Sequence, residues 1–478
     1  MIESVLNHDF VVRNARAAMR ELKTPPDDRR STRDPLADLS QEERDSVAEA
    51  LEKSLAQENT AGSFNGHFER PPVERRGEAP LVDWAFISHD PAMSIVQSSL
   101  EKHLGEIAGA VVEPPRDDDR RGSARTPAVT ATTLRGTTAE KDGDRRVLGA
   151  FSETDPRWVA CLVAEGLRWF RGKEDFPTKP AEPLDIAPNA RVLLVGDWGS
   201  GLPRAKELAE NVMKKWIDEA ADRERHVIHL GDIYYSGWKG ECEDRFLAPW
   251  PVKPAQAGAI KSWCLNGNHD MYSGGRGYFR TVLGDARFAR QQKSNRFVLR
   301  HPKWEILGLD TAYEDDSLSH GQAAWVQERL AGAGGRKGML LSHHQLFSAY
   351  ESDSKNLGSE LREPLDAGLI RAWFWGHEHR CAIYKPHMGV EYARCIGHGG
   401  VPVYQWRGDA DPVKEPASYE FRSSFTTTGG VERWAVFGFT VLDFQADGTI
   451  RAYYVDASGK THFGTQHDAA GRAYEVIN

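Results

Sequence analysis

Five short polar blocks of this sequence each follow an apolar run and carry residue types that bind metal ions. The blocks are Gly196-Asp197-Trp198-Gly199, Gly231-Asp232-Ile233-Tyr234-Tyr235, Gly267-Asn268-His269-Asp270, Ser342-His343-His344 and Gly376-His377-Glu378-His379. Carboxylate, amide and phenol oxygens together with imidazole nitrogens suit hard or borderline cations. Two adjacent cations can hold a phosphate ester and activate water to attack it. The blocks therefore predict a site for two metal ions and a phosphoester chemistry.

Each block taken alone also fits an ordinary structural role. Asp197 and Asp232 each follow a glycine at a strand end, where aspartate is equally common as a helix cap or turn residue. Asn268 is a typical turn residue. His377 and His379 are two residues apart, so their side chains point the same way on an extended segment, which is a weak metal signal. The five blocks in this order indicate a metal site much more strongly than any one of them.

The apolar runs before the blocks have the length of strands in an α/β sheet. The predicted strands are Arg191–Val195, His226–Leu230, Ser262–Leu265, Glu305–Leu309, Met339–Leu341 and Ala372–Trp375. Two amphipathic helices are predicted, one with Ala205, Leu208, Ala209, Val212 and Trp216 on one face and one over Leu318–Leu330. The later runs Glu391–Ile396, Ala435–Phe444 and Thr449–Val455 alternate as antiparallel strands do. Because open α/β sheets bind ligands where strands end, the positions of the blocks support a shared site.

Residues 1–150 have a different character and predict a mostly helical, partly disordered appendage. Helices are predicted after Ser40, with Val47, Leu51 and Leu55 at helical spacing, and around Ile95, Leu100, Leu104 and Ile107. The segments Thr24–Asp34 and Glu113–Arg146 are polar and predict loops or disorder. A helix and a Pro-rich linker over residues 151–188 then lead to a catalytic domain over residues 189–478. The appendage is a candidate for binding a protein partner or for self-association.

Composition limits the classes of function. The 478 residues carry a formal net charge of -9, which argues against a general nucleic-acid binder. The first residues lack the apolar core of a signal peptide, and no run has the length of a membrane span. The five cysteines form no C-x-x-C pair and predict buried free thiols in a reducing compartment. We therefore expect a soluble, cytoplasmic protein that acts on a small phosphoester.

The series G-D-x-G, G-D-x-x-Y, G-N-H-D, H and G-H-x-H resembles the calcineurin-like metallophosphoesterase superfamily, and more narrowly its purple acid phosphatase branch. The resemblance covers Arg191 to Tyr384 and leaves out residues 1–150. It implies a four-layer αββα sandwich with a dinuclear metal centre at the strand ends. It also implies phosphoester hydrolysis, in which a metal-bound hydroxide attacks phosphorus.

The resemblance assigns a role to each residue of the blocks. Asp197, Tyr235 and His379 match the ligands of one metal, Asp232 matches the bridging carboxylate, Asn268, His343 and His377 match the ligands of the second metal, and His269 matches the general acid. Gly199 stands where most of the superfamily has a histidine ligand, and Tyr235 is inferred to compensate. A phenolate is a hard donor, so Fe(III) is expected at that site, with Fe, Zn or Mn at the other.

Two of these assignments have alternatives within the sequence. Tyr234 could supply the phenol, although the G-D-x-x-Y spacing selects Tyr235. His344 could replace His343, but the apolar run before the block favours His343 and leaves His344 near the substrate.

Substrate contacts are expected from side chains beside the blocks. These are His344, Tyr272, Arg276, Arg380 and His398. Plant-type relatives place a substrate-facing histidine where this chain has Tyr350-Glu351-Ser352-Asp353, and acidic residues there would repel a dianionic monoester. Cyclic-nucleotide or nucleotide phosphodiester hydrolysis is an alternative activity, because the same dinuclear centre serves both. A non-catalytic binding scaffold is the alternative of a different class.

Overall fold

The computed structural model describes residues 8–24, 36, 39–59, 88, 90–110, 137–142, 145–151, 159–160, 162–164, 166–167, 172–401, 404–407, 413–427, 430–467 and 473–476. The chain divides into two compact units. One comprises Met1–Gly66 and Pro72–Trp169, and the other comprises His67–Pro71 and Phe170–Asn478.

The first unit contains three long helices, His8–Lys23, Gln41–Asn59 and Pro91–Ala110. The second helix begins with the predicted cap, because the Glu43 backbone N–H donates to Ser40 Oγ (3.2 Å) and the Ser40 N–H donates to the Glu43 carboxylate (2.9 Å). The second and third helices confirm the sequence prediction, whereas the first was not foreseen.

A hairpin of this unit corrects one loop prediction. Strands β1 (Thr137–Asp142) and β2 (Arg145–Phe151) pair antiparallel, so residues 137–142 and 145–146 of the predicted loop Glu113–Arg146 are in strands. The remaining residues of that prediction, and residues 25–34 of the other, lie outside the described residues. Residues 159–160, 162–164 and 166–167 are helical, as predicted for this stretch.

The second unit is built from strands. In chain order they are β3 (Leu184–Asp185), β4 (Arg191–Val195), β5 (Arg225–His229), β6 (Ile260–Cys264), β7 (Phe297–His301), β8 (Trp304–Gly308), β9 (Lys337–Leu341), β10 (Ile370–Trp375), β11 (Cys381–Tyr384), β12 (Tyr392–Ile396), β13 (Tyr404–Arg407), β14 (Ala417–Glu420), β15 (Arg422–Thr427), β16 (Gly430–Ala435), β17 (Gly438–Phe444), β18 (Ile450–Asp456), β19 (Thr461–His467) and β20 (Ala473–Val476). Every strand predicted from an apolar run is present, with bounds that differ by a few residues at most.

Two large sheets carry the predicted blocks. One has the order β20-β19-β18-β17-β4-β5-β6, with β4, β5 and β6 parallel. The other has the order β14-β11-β12-β10-β9-β8-β7-β3, with β8, β9, β10 and β12 parallel. The antiparallel prediction for Glu391–Ile396 is therefore right for the β11 side of β12 and wrong for its β10 side. Strands β13, β16 and β15 form a small separate sheet.

Short helices connect the strands of the second unit. They are Pro203–Glu207, Leu208–Met213, Lys214–Asp218, Lys239–Glu241, Cys242–Leu247, Pro254–Gln256, Asn268–Met271, Gly277–Val282, Ala286–Gln291, Gln322–Ala331, Lys355–Glu360 and Arg362–Asp366. The first three are consecutive and form the helix predicted between β4 and β5. Gln322–Ala331 overlaps the predicted Leu318–Leu330 segment: it begins four residues later and ends one residue beyond it.

The two sheets share one apolar core. Leu194 and Ile228 of the first sheet belong to the same buried cluster as Met339 and Leu341 of the second. Leu340, between those last two residues, belongs instead to a second cluster that includes the helix Gln322–Ala331. This alternation is the period of two expected of a strand covered on both faces. Two sheets with flanking helices are the architecture implied by the resemblance.

Two predictions concern the environment of the chain. Cys242, Cys264, Cys381 and Cys395 are buried and free, as predicted, while Cys161 lies outside the described residues. Within the described ranges, no helix has the length and apolarity needed to cross a membrane.

Candidate metal centre

The carboxyl ends of strands from both sheets meet at one place. Asp197, Asp232 and Asn268 follow β4, β5 and β6 of the first sheet, whereas His343 and His377 follow β9 and β10 of the second. Hydrogen bonds join the two sets: the His377 backbone N–H donates to Asp197 Oδ2 (2.8 Å), and His343 Nδ1 donates to the Leu230 carbonyl (3.0 Å). The predicted blocks therefore form one buried site between the sheets.

The turns that carry these residues have unusual backbone conformations. Asp197, Asp232, His377 and His379 all have positive φ values, between 51° and 74°. Such conformations cost roughly 1–3 kcal/mol each for residues other than glycine. They persist because the surrounding hydrogen bonds hold them, and they turn the side chains toward one point.

Glycines let the turns come close together. A Cβ atom on Gly267 would lie 2.1 Å from Asp232 Oδ1, and one on Gly376 would lie 2.5 Å from Asp197 Oδ2. Both distances are far below van der Waals contact. The glycines of the G-N-H-D and G-H-x-H blocks are thus required by the packing of the two aspartates.

One cluster of ligand atoms surrounds the phenol of Tyr234. The Tyr234 hydroxyl lies 2.9 Å from Asp197 Oδ1, 3.1 Å from Asp232 Oδ2 and 2.7 Å from His379 Nε2. His379 Nε2 also lies 3.4 Å from Asp197 Oδ1. Three oxygen ligands and one nitrogen ligand therefore face one another.

The structure places Tyr234 in this cluster, whereas the tyrosine predicted from the spacing is Tyr235. The Tyr235 ring packs instead on the Arg245 guanidinium, 4.8 Å from the ring centroid, and burial raises the pKa of its phenol. The physical reason is Glu241, whose carboxylate accepts the backbone N–H of Tyr235 (2.7 Å) and those of Ser236 and Trp238 (3.1 and 3.0 Å). This anchoring turns Tyr235 away and leaves Tyr234 to face the aspartates.

A second cluster joins Asn268, His343 and His377. Asn268 Oδ1 lies 2.9 Å from His343 Nε2 and 3.1 Å from His377 Nδ1, and the two imidazole nitrogens are 3.3 Å apart. His343 Nε2 is also 3.5 Å from Asp232 Oδ2. Asp232 therefore contacts both clusters, as a bridging carboxylate would.

In the second cluster, a lone pair of His343 Nε2 faces a lone pair of Asn268 Oδ1. His343 donates its Nδ1 proton to a carbonyl, so its neutral ring has an unprotonated Nε2. Asn268 donates its amide Nδ2 to the Tyr272 hydroxyl (2.6 Å), which turns Oδ1 toward the histidines. Acceptor atoms converging at such distances repel one another unless a cation lies between them. This donor set fits metal ions of the hard or borderline class.

Burial adds to the same argument. Asp197 and Asp232 are fully buried, and desolvation raises the pKa of both carboxyl groups well above the usual range. Burial also holds the pKa of His343 well below its usual value, which keeps the ring neutral. Buried carboxylates need a paired charge or a coordinated cation, and neutral imidazoles are the form that binds metals.

His269 lies beside the first cluster. Its backbone N–H donates to Asp232 Oδ1 (3.0 Å), and its ring Nδ1 donates to the Tyr235 carbonyl (2.6 Å). The ring packs between Tyr234 and Tyr272, with centroid separations of 4.6 and 4.7 Å. These contacts fix its orientation at the edge of the site.

Two acidic residues of the blocks have positioning roles that sequence reasoning missed. Asp270 accepts three backbone N–H groups, from Asp232 (2.9 Å), Ile233 (3.2 Å) and Gly267 (2.8 Å). Glu378 accepts from Trp375 Nε1 (2.7 Å) and Ser348 Oγ (2.6 Å). The sequence does carry a signal for these roles. Each residue is acidic and lies inside a block of predicted ligands, where a buried carboxylate needs hydrogen-bond donors or a cation.

The predicted substrate contacts divide into two groups. Tyr272 and His344 lie at the centre: Tyr272 accepts from Asn268, and the His344 ring is 4.7 Å from the His377 ring. Arg276 instead pairs with Glu174 (3.6 Å), and Arg380 pairs with Glu420 (2.8 Å).

His398 is a further predicted substrate contact. It is buried against Phe421, at a ring-centroid distance of 5.7 Å. Burial lowers the pKa of its ring to about 3. These contacts describe a neutral packing residue.

Comparison with known proteins agrees with this geometry. Residues 190–381 match the family described as calcineurin-like phosphoesterase, and this span includes all five blocks. Residues 190–381 therefore form a calcineurin-like phosphoesterase domain, and proteins of that family typically bind two metal ions.

Solved structures similar to this chain include three that cover about the same share of it. They are GAP50, the anchor in the inner membrane complex of Plasmodium (13% identity, 60% of this chain and 89% of that chain, TM-score 0.43), the purple acid phosphatase PPD1 of yellow lupin (16%, 61% and 54%, 0.40), and a dimetal phosphatase from Danio rerio (12%, 61% and 99%, 0.39). No curated protein matches the sequence.

Replacing Gly267 by alanine tests whether the packed turns hold the ligands in place. The added Cβ must displace the Asp232 carboxylate, so metal affinity should fall about 10–100-fold, as it does when the groups supporting a ligand are disturbed. Chelator competition and elemental analysis measure this. Gly240→Ala is the control, because its Cβ would meet no atom within 4 Å. Equal affinities in the two variants would contradict the packing argument.

Proposed function

We propose that this protein is a metal-dependent phosphoester hydrolase of the purple acid phosphatase-like type. The observation that carries the proposal is the pair of ligand clusters that share Asp232 where the two sheets meet. The His269 imidazole beside the first cluster and the His344 imidazole beside the second complete what phosphoester hydrolysis needs. A non-catalytic scaffold would not need every one of these groups.

In this proposal the chain holds two metal ions. The residues of the first site are Asp197, Tyr234 and His379, those of the second are Asn268, His343 and His377, and Asp232 belongs to both. When bound, the ions supply Lewis-acid activation of the phosphoryl group and of the attacking water. The chain contributes by fixing the ligand atoms before the substrate arrives, which avoids reorganisation during the reaction.

His269 is the proposed general acid. Donation of Nδ1–H to the Tyr235 carbonyl leaves Nε2 as the nitrogen that can carry a proton to the leaving oxygen. The flanking Tyr234 and Tyr272 rings hold the imidazole in that orientation. Proton transfer from a positioned group typically contributes about 10²–10⁴-fold to the rate.

The phenol of Tyr234 suggests the identity of one metal. A phenolate is a hard anionic ligand, and together with two carboxylates it favours a trivalent ion over a divalent one. We therefore propose Fe(III) at the Tyr234 site, with Fe, Zn or Mn at the other. The proposal that residues 1–150 bind a protein partner or a second copy, and the cytoplasmic location, rest on the sequence alone.

The roles of Asp232 and His269 are tested by their alanine variants. Asp232→Ala should abolish hydrolysis and lower the metal content, because both sites lose a ligand. His269→Ala should lower kcat about 10²–10⁴-fold on phenyl phosphate. The loss should be smaller on p-nitrophenyl phosphate, whose better leaving group needs less protonation.

Asp218→Ala and His387→Ala, at exposed positions, are the matched controls for steady-state assays of the metal-loaded protein. Hydrolysis by Asp232→Ala at the wild-type rate would overturn the proposed mechanism. If His269→Ala lowered kcat equally on both esters, only the role of His269 as general acid would be refuted.

The choice of tyrosine is tested by the visible spectrum. Protein purified with iron should show a phenolate–Fe(III) charge-transfer band that Tyr234→Phe removes and Tyr235→Phe retains, since only the Tyr234 hydroxyl lies among the carboxylates. The reverse result would restore the assignment made from sequence spacing. A colourless, iron-free and active enzyme would refute the iron assignment.

A further inference from the structure

We propose that Glu351 and Asp315 select phosphoesters whose phosphoryl group carries one negative charge, as in a phosphodiester, over dianionic phosphomonoesters. The inference rests on the proposed hydrolysis, which by itself leaves both classes of ester open. It follows from where the acidic side chains lie and from how the nearby cationic side chains are already engaged.

Glu351 lies one imidazole ring away from the ligand atoms. Its Oε2 is 3.4 Å from His377 Nε2, and the other nitrogen of that ring faces Asn268 Oδ1 at 3.1 Å. The carboxylate side chain is 23% exposed, so water screens its charge only in part.

Asp315 places a second negative charge on the same side. Its Oδ1 is 3.4 Å from His344 Nε2, and the His344 and His377 rings are 4.7 Å apart. The Asp315 carboxylate is 84% exposed, so its effect at the centre should be weaker than that of Glu351. The two acids together form an acidic rim beside the second cluster.

The cationic side chains expected to offset this rim are held by other carboxylates. Arg276 pairs with Glu174. Arg380 pairs with Glu420, and its guanidinium stacks on Tyr350 at 4.0 Å from the ring centroid.

Lys173 contacts the Tyr313 carbonyl and lies 3.5 Å from Glu314. Its charge is therefore also opposed by a neighbouring carboxylate. A second negative charge on the substrate would therefore be repelled by the acidic rim. Arg276, Arg380 and Lys173 would each offset this repulsion only in part, because each already lies beside a carboxylate.

The charge difference between the two substrate classes gives the expected size of the effect. A carboxylate several ångströms from a phosphoryl group, in a partly screened site, should change the relative affinity for a dianion and a monoanion by about tenfold. Glutamine in place of Glu351 removes the charge but keeps an oxygen that can accept the His377 Nε2 proton. Glu351→Gln therefore tests the effect of the negative charge on substrate selection without removing the contact that orients the His377 ring.

The test compares two esters with the same leaving group on metal-loaded, full-length protein. p-Nitrophenyl phosphate is a dianion at about pH 8, and methyl p-nitrophenyl phosphate is a monoanion. Glu351→Gln should raise the ratio of kcat/KM for the monoester to that for the diester about tenfold, and Asp315→Asn should raise it less. Glu328→Gln, the same change at an exposed position on the helix Gln322–Ala331, should leave the ratio unchanged.

Binding provides a readout that does not depend on turnover. Calorimetric titration with orthophosphate, a dianion, and with dimethyl phosphate, a monoanion, measures the two affinities. Glu351→Gln should raise the affinity for orthophosphate relative to that for dimethyl phosphate. If neither ester is hydrolysed but the binding ratio shifts, the proposed hydrolysis fails while charge selection stands. An unchanged ratio in Glu351→Gln, binding of neither ligand, or a lowered metal content that explains the change would overturn the selection proposal.

Discussion

Repulsion among buried acceptor atoms is the constraint on which the rest of this structure depends. Two carboxylates, an amide oxygen and three imidazole nitrogens converge between the sheets around the Tyr234 hydroxyl, at separations of 2.7–3.5 Å. Desolvation makes each carboxylate charge costly, and no apolar contact can offset that cost at this place. Cations bound between these atoms would turn the same arrangement from unfavourable to favourable.

The fold brings these atoms together by means that act on the backbone. Parallel strands deliver the blocks to one edge of each sheet, and glycines permit the turns to approach within distances that a Cβ atom would block. Backbone N–H groups then orient the carboxylates, as His377 does for Asp197 and His269 does for Asp232. Asp270 and Glu241 complete the arrangement by binding three N–H groups each. The centre is thus held by the scaffold before any ion binds.

The strands and most of the proposed ligands could be read from the sequence, because both follow from local patterns. Strand β4 has the predicted bounds, and polar residues directly after apolar strands were expected at a common edge. The tyrosine could not be chosen this way, since the path of its turn depends on Glu241, which accepts backbone protons from three residues. The ion pair of Arg380 could not be predicted for a similar reason: its partner Glu420 is forty residues away, on the strand β14 that pairs with β11. Contacts between side chains that strand pairing brings together cannot be predicted from the local spacing of residues in the sequence.

The central claim is that the two clusters sharing Asp232 each hold one metal ion. Anomalous difference maps from a crystal of the protein purified with its native metals test it most directly, because they locate each ion and identify its element. The account predicts two peaks that both lie beside Asp232, one also contacting Asp197, Tyr234 and His379 and the other contacting Asn268, His343 and His377. A single peak, peaks away from these side chains, or a first ion bound by the Tyr235 phenol would contradict it.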